Sequence, residues 1–214
     1  MPTFCSPRRR RLSPASKPLL PIALALLIGG VASYAIPVAA SGSGKWDDGV
    51  VRYYDAGSLG RTVSTAAERW TDSGARVQLI EVGTPDEADV IFEVDDRRLR
   101  EACGRDCLGY TSSIGRPSEG QVHVLISADL AGVARPLSVW VAAHEFGHVL
   151  GLHHRDGRAC SLMSAHAFDT NCSPSLAPGP PTAAQLACVP APADVEDAAA
   201  LYGGALTRRD VRCR

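Results

Sequence analysis

Apolar and polar positions along the chain predict a strand, a helix and two more strands in its first half. Val50-Val51-Arg52-Tyr53-Tyr54 is rich in β-branched and aromatic residues and reads as a strand, closed by the turn material Asp55-Ala56-Gly57. Over residues 62–72, Val63, Ala66, Ala67 and Trp70 recur at helical spacing on one face, and Gly74 ends the run. Residues 77–82 and 88–94 are strand candidates separated by Gly83-Thr84-Pro85-Asp86. Two short strands follow at 108–112 and 121–127, around a loop from Gly115 to Gly120. Residues 137–152 predict a long helix with no Gly or Pro until Gly147, on which Val141, His144, Glu145, His148, Val149 and Leu152 lie close together around the axis. Residues 159–192, rich in Pro, Ser, Gly and Ala, predict an irregular subdomain. Asp194-Val195-Glu196-Asp197 opens a last helix, with acidic residues where the helix dipole favours them, and Gly203-Gly204 closes it. The succession suggests an α/β layer without internal repeats.

A different pattern precedes this. Residues 18–40 carry no charge and follow Arg8-Arg9-Arg10-Arg11, the order of an export signal. Small residues at Val38-Ala39-Ala40 offer a cleavage site before Ser41, whereas an uncut run of this length could anchor the chain with the Arg side in the cytoplasm. Either route places the bulk of the chain outside the cytoplasm, secreted or held at the outer face of the membrane. Residues 1–40 are thus read as signal peptide or signal anchor, 41–49 as linker and 50–214 as one domain, expected to be a monomer. Export suits the cysteines. Of seven, Cys5 stays in the targeting segment, leaving an even set able to pair. Local pairing is expected, Cys103 with Cys107, Cys160 with Cys172 and Cys188 with Cys213, although six cysteines allow 15 connectivities. A net charge of −1, from 22 basic and 23 acidic residues, gives no field that argues for nucleic acid.

The chemistry concentrates in His144-Glu145-Phe146-Gly147-His148-Val149-Leu150-Gly151-Leu152-His153-His154. Positions i and i+4 share a helical face, so His144 and His148 can aim at one metal ion at the Zn–N distance of about 2.0 to 2.1 Å. Glu145 is rotated by about 100°, beside the metal, where a carboxylate can take a proton from water. Gly151 permits a sharp turn that returns His154 as third ligand, leaving one position open. His153, one residue short of that spacing, is assigned to structure or solvent.

With the glycine and the third histidine in register, the segment resembles the metzincin clan of zinc endopeptidases, whose pattern is H-E-x-x-H-x-x-G-x-x-H followed by a methionine turn. Met163, in Ser161-Leu162-Met163-Ser164, fits that turn. Val141 to Leu152 is very similar to matrixins, as is the Leu-Tyr-Gly ending of the last helix. Val51 to Asp55 and the cysteine-flanked Met segment are similar to the small snapalysin-type proteases, which usually have Asp where this chain has His154. The resemblance covers about residues 50 to 204 and implies an α+β, zincin-like fold: a twisted, mostly parallel sheet with an antiparallel edge strand, an active-site helix and a closing helix. It also implies one catalytic zinc. The edge strand, Leu108, Gly109, Tyr110, Thr111 and Ser112, is expected to bind substrate by β-addition. Calcium, which matrixins bind, lacks a complete ligand set; His123 alone resembles one of their structural-zinc ligands and reads as a strand residue. Arg155 stands where matrixins have Ser. No latency cysteine lies between Ser41 and Trp46, so zymogen control of that kind is not expected.

These readings converge on a zinc-dependent endopeptidase acting on extracellular proteins or peptides, with zinc on His144, His148 and His154 and with Glu145 as proton carrier. The alternatives are a protein of the same fold that binds with little turnover, and a zinc hydrolase acting on a small non-peptide substrate.

Overall fold

The computed structural model describes residues 3–5, 44–57, 59–131, 135–155, 160–167 and 179–207. Its elements in chain order are β1 (Thr3–Cys5), β2 (Val50–Asp55), α1 (Arg61–Thr71), β3 (Gln78–Glu81), β4 (Val90–Val94), α2 (Asp96–Cys103), β5 (Cys107–Thr111), β6 (Val122–Ile126), α3 (Pro136–Val149) and α4 (Pro192–Tyr202). The fold is α+β. One sheet runs in the order β1-β5-β6-β4-β2-β3. β2 is parallel to β3 and β4, and β4 is parallel to β6, whereas β5 runs antiparallel to β6. β1 then pairs in parallel with the other side of β5. The antiparallel strand is therefore not the outermost one, contrary to the expectation from sequence; the chain's own N-terminal residues lie alongside it.

The sheet divides the apolar side chains by strand alternation. Val122, Val124 and Ile126 join the main core with α1 and α3, while Leu125 packs with Leu99 of α2 and Cys107 in a smaller cluster. Residues 96–103 carry no apolar periodicity. Helix α2 forms there because Asp95 caps it, accepting from the Arg98 N–H at 2.9 Å, and because Leu99 alone is needed inside.

Helix α3 is apolar on all sides and correspondingly buried, from Ser138 to Val149. Pro136 occupies its first turn, where the missing N–H costs nothing. Two indoles fasten it through backbone carbonyls: Trp70 Nε1 donates to Ala143 O at 2.8 Å and Trp46 Nε1 to Val149 O at 2.7 Å. Phe146 packs on Phe92 and Tyr53, at ring separations of 4.7 and 5.3 Å. Residues 44–49, read as the end of a linker, are folded in: Trp46 is core and Gly44 bridges to Arg116.

Cys103 and Cys107 form the expected disulfide, joining the end of α2 to the start of β5. Cys160 and Cys188 are also disulfide-bonded; Cys172 and Cys213, their expected partners, lie outside the described residues. So do residues 18–40. Among the described residues no helix is long and apolar enough to cross a membrane.

Candidate metal centre

Helix α3 ends where the motif requires it to. Leu150 N–H still donates to Phe146 O at 2.8 Å, and Gly151 then takes φ +95°, a conformation that side chains resist. The chain turns back and places His154 against the helix. His154 Nε2 lies 3.2 Å from His144 Nε2 and 3.0 Å from His148 Nε2. The three histidines are the group of potential metal ligands found among the described residues, each with an atom within 4.8 Å of the others. His153, the neighbour of His154 in sequence, is exposed and is not one of the three.

Hydrogen bonds on the far side of each ring set the tautomers. Carbonyl oxygens only accept, so His144 Nδ1–H donates to Leu162 O at 2.7 Å and His148 Nδ1–H to Leu152 O at 2.8 Å. Both Nε2 atoms then carry lone pairs. His154 Nε2, with one proton at most, can satisfy only one of them, so at least one pair of lone pairs is left in close contact. A cation between the rings removes that conflict. Burial reinforces the neutral state: it drives His144 well below the ordinary histidine range and His148 down to about 3, with the neighbouring histidines acting in the same direction. Glu145, fully buried in the same helix, is pushed up to about 8 by desolvation, partly offset by the Thr111 hydroxyl. Two imidazoles held neutral by burial, a third converging on them and a desolvated carboxyl suit a divalent cation, whose charge would favour the ionised carboxylate.

Around this cluster the Met loop is tightly held. Met163 is buried, and its sulfur sits against Gly147, where any Cβ would collide with it. Asp194 of α4 accepts from Ser161 Oγ and Leu162 N at 2.7 Å, and from Ala191 N at 3.1 Å. Read from sequence as an acid favoured by a helix dipole, Asp194 is in addition a buried anchor for the loop whose Leu162 carbonyl orients His144. Arg155 joins the same network through its N–H to Met163 O at 2.9 Å and an ion pair with Asp197.

The strand predicted to receive substrate has a second role. Thr111 Oγ1 donates to Glu145 Oε2 at 2.6 Å, and Gly109 leaves room for Glu145 Oε1, which a Cβ there would meet at 2.5 Å. Leu108 O accepts from Ser127 N. Tyr110 pairs with Leu125 on one side and with Cys5 on the other. Ser112 lies beyond the end of β5 and exchanges bonds with His123, through N–H to His123 O and from His123 N–H to Oγ, both at 2.9 Å. The His123 ring is taken by Glu93 at 2.8 Å, which also pairs with Arg98, and so stands apart from the metal group.

No protein-family model matches the chain, and none of the curated proteins compared with it is similar. Among solved structures, that of myroilysin superposes with a TM-score of 0.35 at 16% identity, covering 78% of this chain and 64% of that one. The chain thus spans less than two thirds of myroilysin's length, and a likeness of this size does not define a shared fold.

Proposed function

We propose that this chain is a zinc-dependent endopeptidase of the metzincin kind, acting outside the cytoplasm on extended segments of protein substrates. The observation that carries this reading is the convergence of His144, His148 and His154, with Glu145 buried on the same helix as two of them. The neutral imidazoles of His144 and His148, each with a carbonyl-bound Nδ1–H, suit zinc, and a cluster with no fourth protein ligand among the described residues leaves a position for reactants. Bound there, zinc would supply Lewis acidity toward a carbonyl oxygen and toward water. Glu145 would take the proton of the attacking water on its unpartnered Oε1 and deliver it to the leaving amine. β5 would align the peptide by backbone pairing. If export removes residues 1–40, Thr3–Cys5 goes with them and that side of β5 is freed.

The test is cleavage of an unfolded protein by the oxidised chain, with and without a zinc chelator, beside Glu145→Ala. The expected outcome is chelator-sensitive cleavage that falls at least about 100-fold in a variant still holding one zinc. Wild-type cleavage by Glu145→Ala would remove Glu145 from the reaction. A second reading, a peptide-binding protein with little turnover, draws on the strand that covers β5, and a zinc-loaded chain inert toward every peptide would favour it.

A further inference from the structure

Glu145 is a fully buried carboxylate on the helix that carries His144 and His148, and its two oxygens are treated differently. Oε2 accepts from Thr111 Oγ1 at 2.6 Å, whereas Oε1 is buried without a hydrogen-bond partner. Both features come from one strand. Gly109 and Thr111, two residues apart, face α3 together, and their pairing with Ile126 and Val124 of β6 fixes their height along it. At 109 the strand offers a gap that any Cβ would fill, and at 111 a buried donor. Threonine is stiff about χ1, so its hydroxyl is held in place by the backbone. The other acceptor within reach, Glu145 O, is more distant at 3.4 Å.

We propose that Thr111 is a positioning residue for Glu145: its hydroxyl holds one carboxylate oxygen so that the other is the single oxygen presented for proton transfer. This rests on the endopeptidase reading for its consequence in turnover, and on the geometry alone for its consequence in structure. A merely structural Thr111 would contribute shape, which Val preserves and Ser does not. A positioning Thr111 contributes the hydroxyl, which Ser preserves and Val does not.

The experiment therefore compares Thr111→Val and Thr111→Ser in the oxidised chain by two independent readouts. In steady-state peptide cleavage, Thr111→Val is expected to lose about 10- to 100-fold in kcat with KM within about twofold and one zinc still bound, while Thr111→Ser stays within about threefold of wild type. In crystal structures of the metal-free proteins, Glu145 is expected to leave the Gly109 gap or to split between rotamers in Thr111→Val, and to stay in Thr111→Ser. Wild-type kcat in Thr111→Val, an unmoved Glu145, or equal loss in both variants would overturn the proposal. If Thr111→Val does not fold, Thr111→Ser decides: near-wild-type kcat with Glu145 in place supports the proposal, and a tenfold loss overturns it. A wild-type chain that cleaves nothing would sink the endopeptidase reading, and the crystal structures would still decide the role of Thr111.

Discussion

At the scale of single residues, the centre is an arrangement of desolvated groups whose charge states depend on what they face. Glu145 shows this most directly. Its carboxyl rises from an ordinary 4.5 to about 8, chiefly through burial. A carboxyl whose folded pKa lies above its unfolded one supports the fold fully below the unfolded pKa and loses that support as pH rises through the folded pKa. The metal-free wild type should therefore weaken across pH 4.5 to 8 relative to Glu145→Gln, which has no proton to lose. The advantage of the variant should grow over that window to a few kcal/mol at most, on the order of 1.4 kcal/mol for each tenfold difference in proton affinity between folded and unfolded chain, and then level off. Urea unfolding of both proteins in chelator at several pH values measures it. A constant difference between pH 5 and 8 would mean that the carboxyl is hydrated in the metal-free protein.

At the scale of elements, the histidine cluster is held by α3, its glycine turn and the Met163 loop, clamped together. Asp194 is the clamp between α4 and the loop. Asp194→Ala would strand the Ser161 hydroxyl and the Leu162 and Ala191 amides in a buried setting, a loss of about 2 to 5 kcal/mol in unfolding free energy. Because Leu162 O orients His144, zinc affinity should also fall about 10- to 100-fold, read by competition with a chromogenic chelator. Lower stability with unchanged affinity would show that His144 is held without the loop. Much of this level is legible in the sequence. The motif spacing places three histidines together because helix periodicity and one glycine are local rules, and strands β2, β4 and β6 are visible as β-branched runs. What the sequence hides is non-local. Nothing in DRRLREAC signals α2 by periodicity, since only Leu99 is buried. The burial of Asp194 depends on a loop about thirty positions earlier, and the pairing of Thr111 with Glu145 depends on the register of β5 against β6.

At the scale of the whole molecule, the question is what the N-terminal strand does to the sheet. Among the described residues, those of both apolar clusters lie at or beyond Trp46, and the aromatic and indole contacts that hold α3 arise there too. β1 adds a three-residue strand on the outer side of β5. A three-residue addition gives few ladder bonds against the entropy of ordering its segment, so it should contribute little to stability. It does occupy the side of β5 that an extended peptide would need, because β6 already takes the other. A chain beginning at Ser41, the position left by the expected cleavage, should therefore melt within a few degrees of the full chain under identical oxidising, zinc-loaded conditions. On the proposed endopeptidase reading it should cleave an unfolded substrate with a lower KM and a similar kcat, since the histidine cluster and Glu145 are untouched. Adding a synthetic peptide of residues 1–8 in trans should raise KM again, competitively and only at high concentration. Equal KM for the two chains would mean that peptides are aligned by a surface other than β5. A large drop in melting temperature would mean that the N-terminal strand is part of the folded domain.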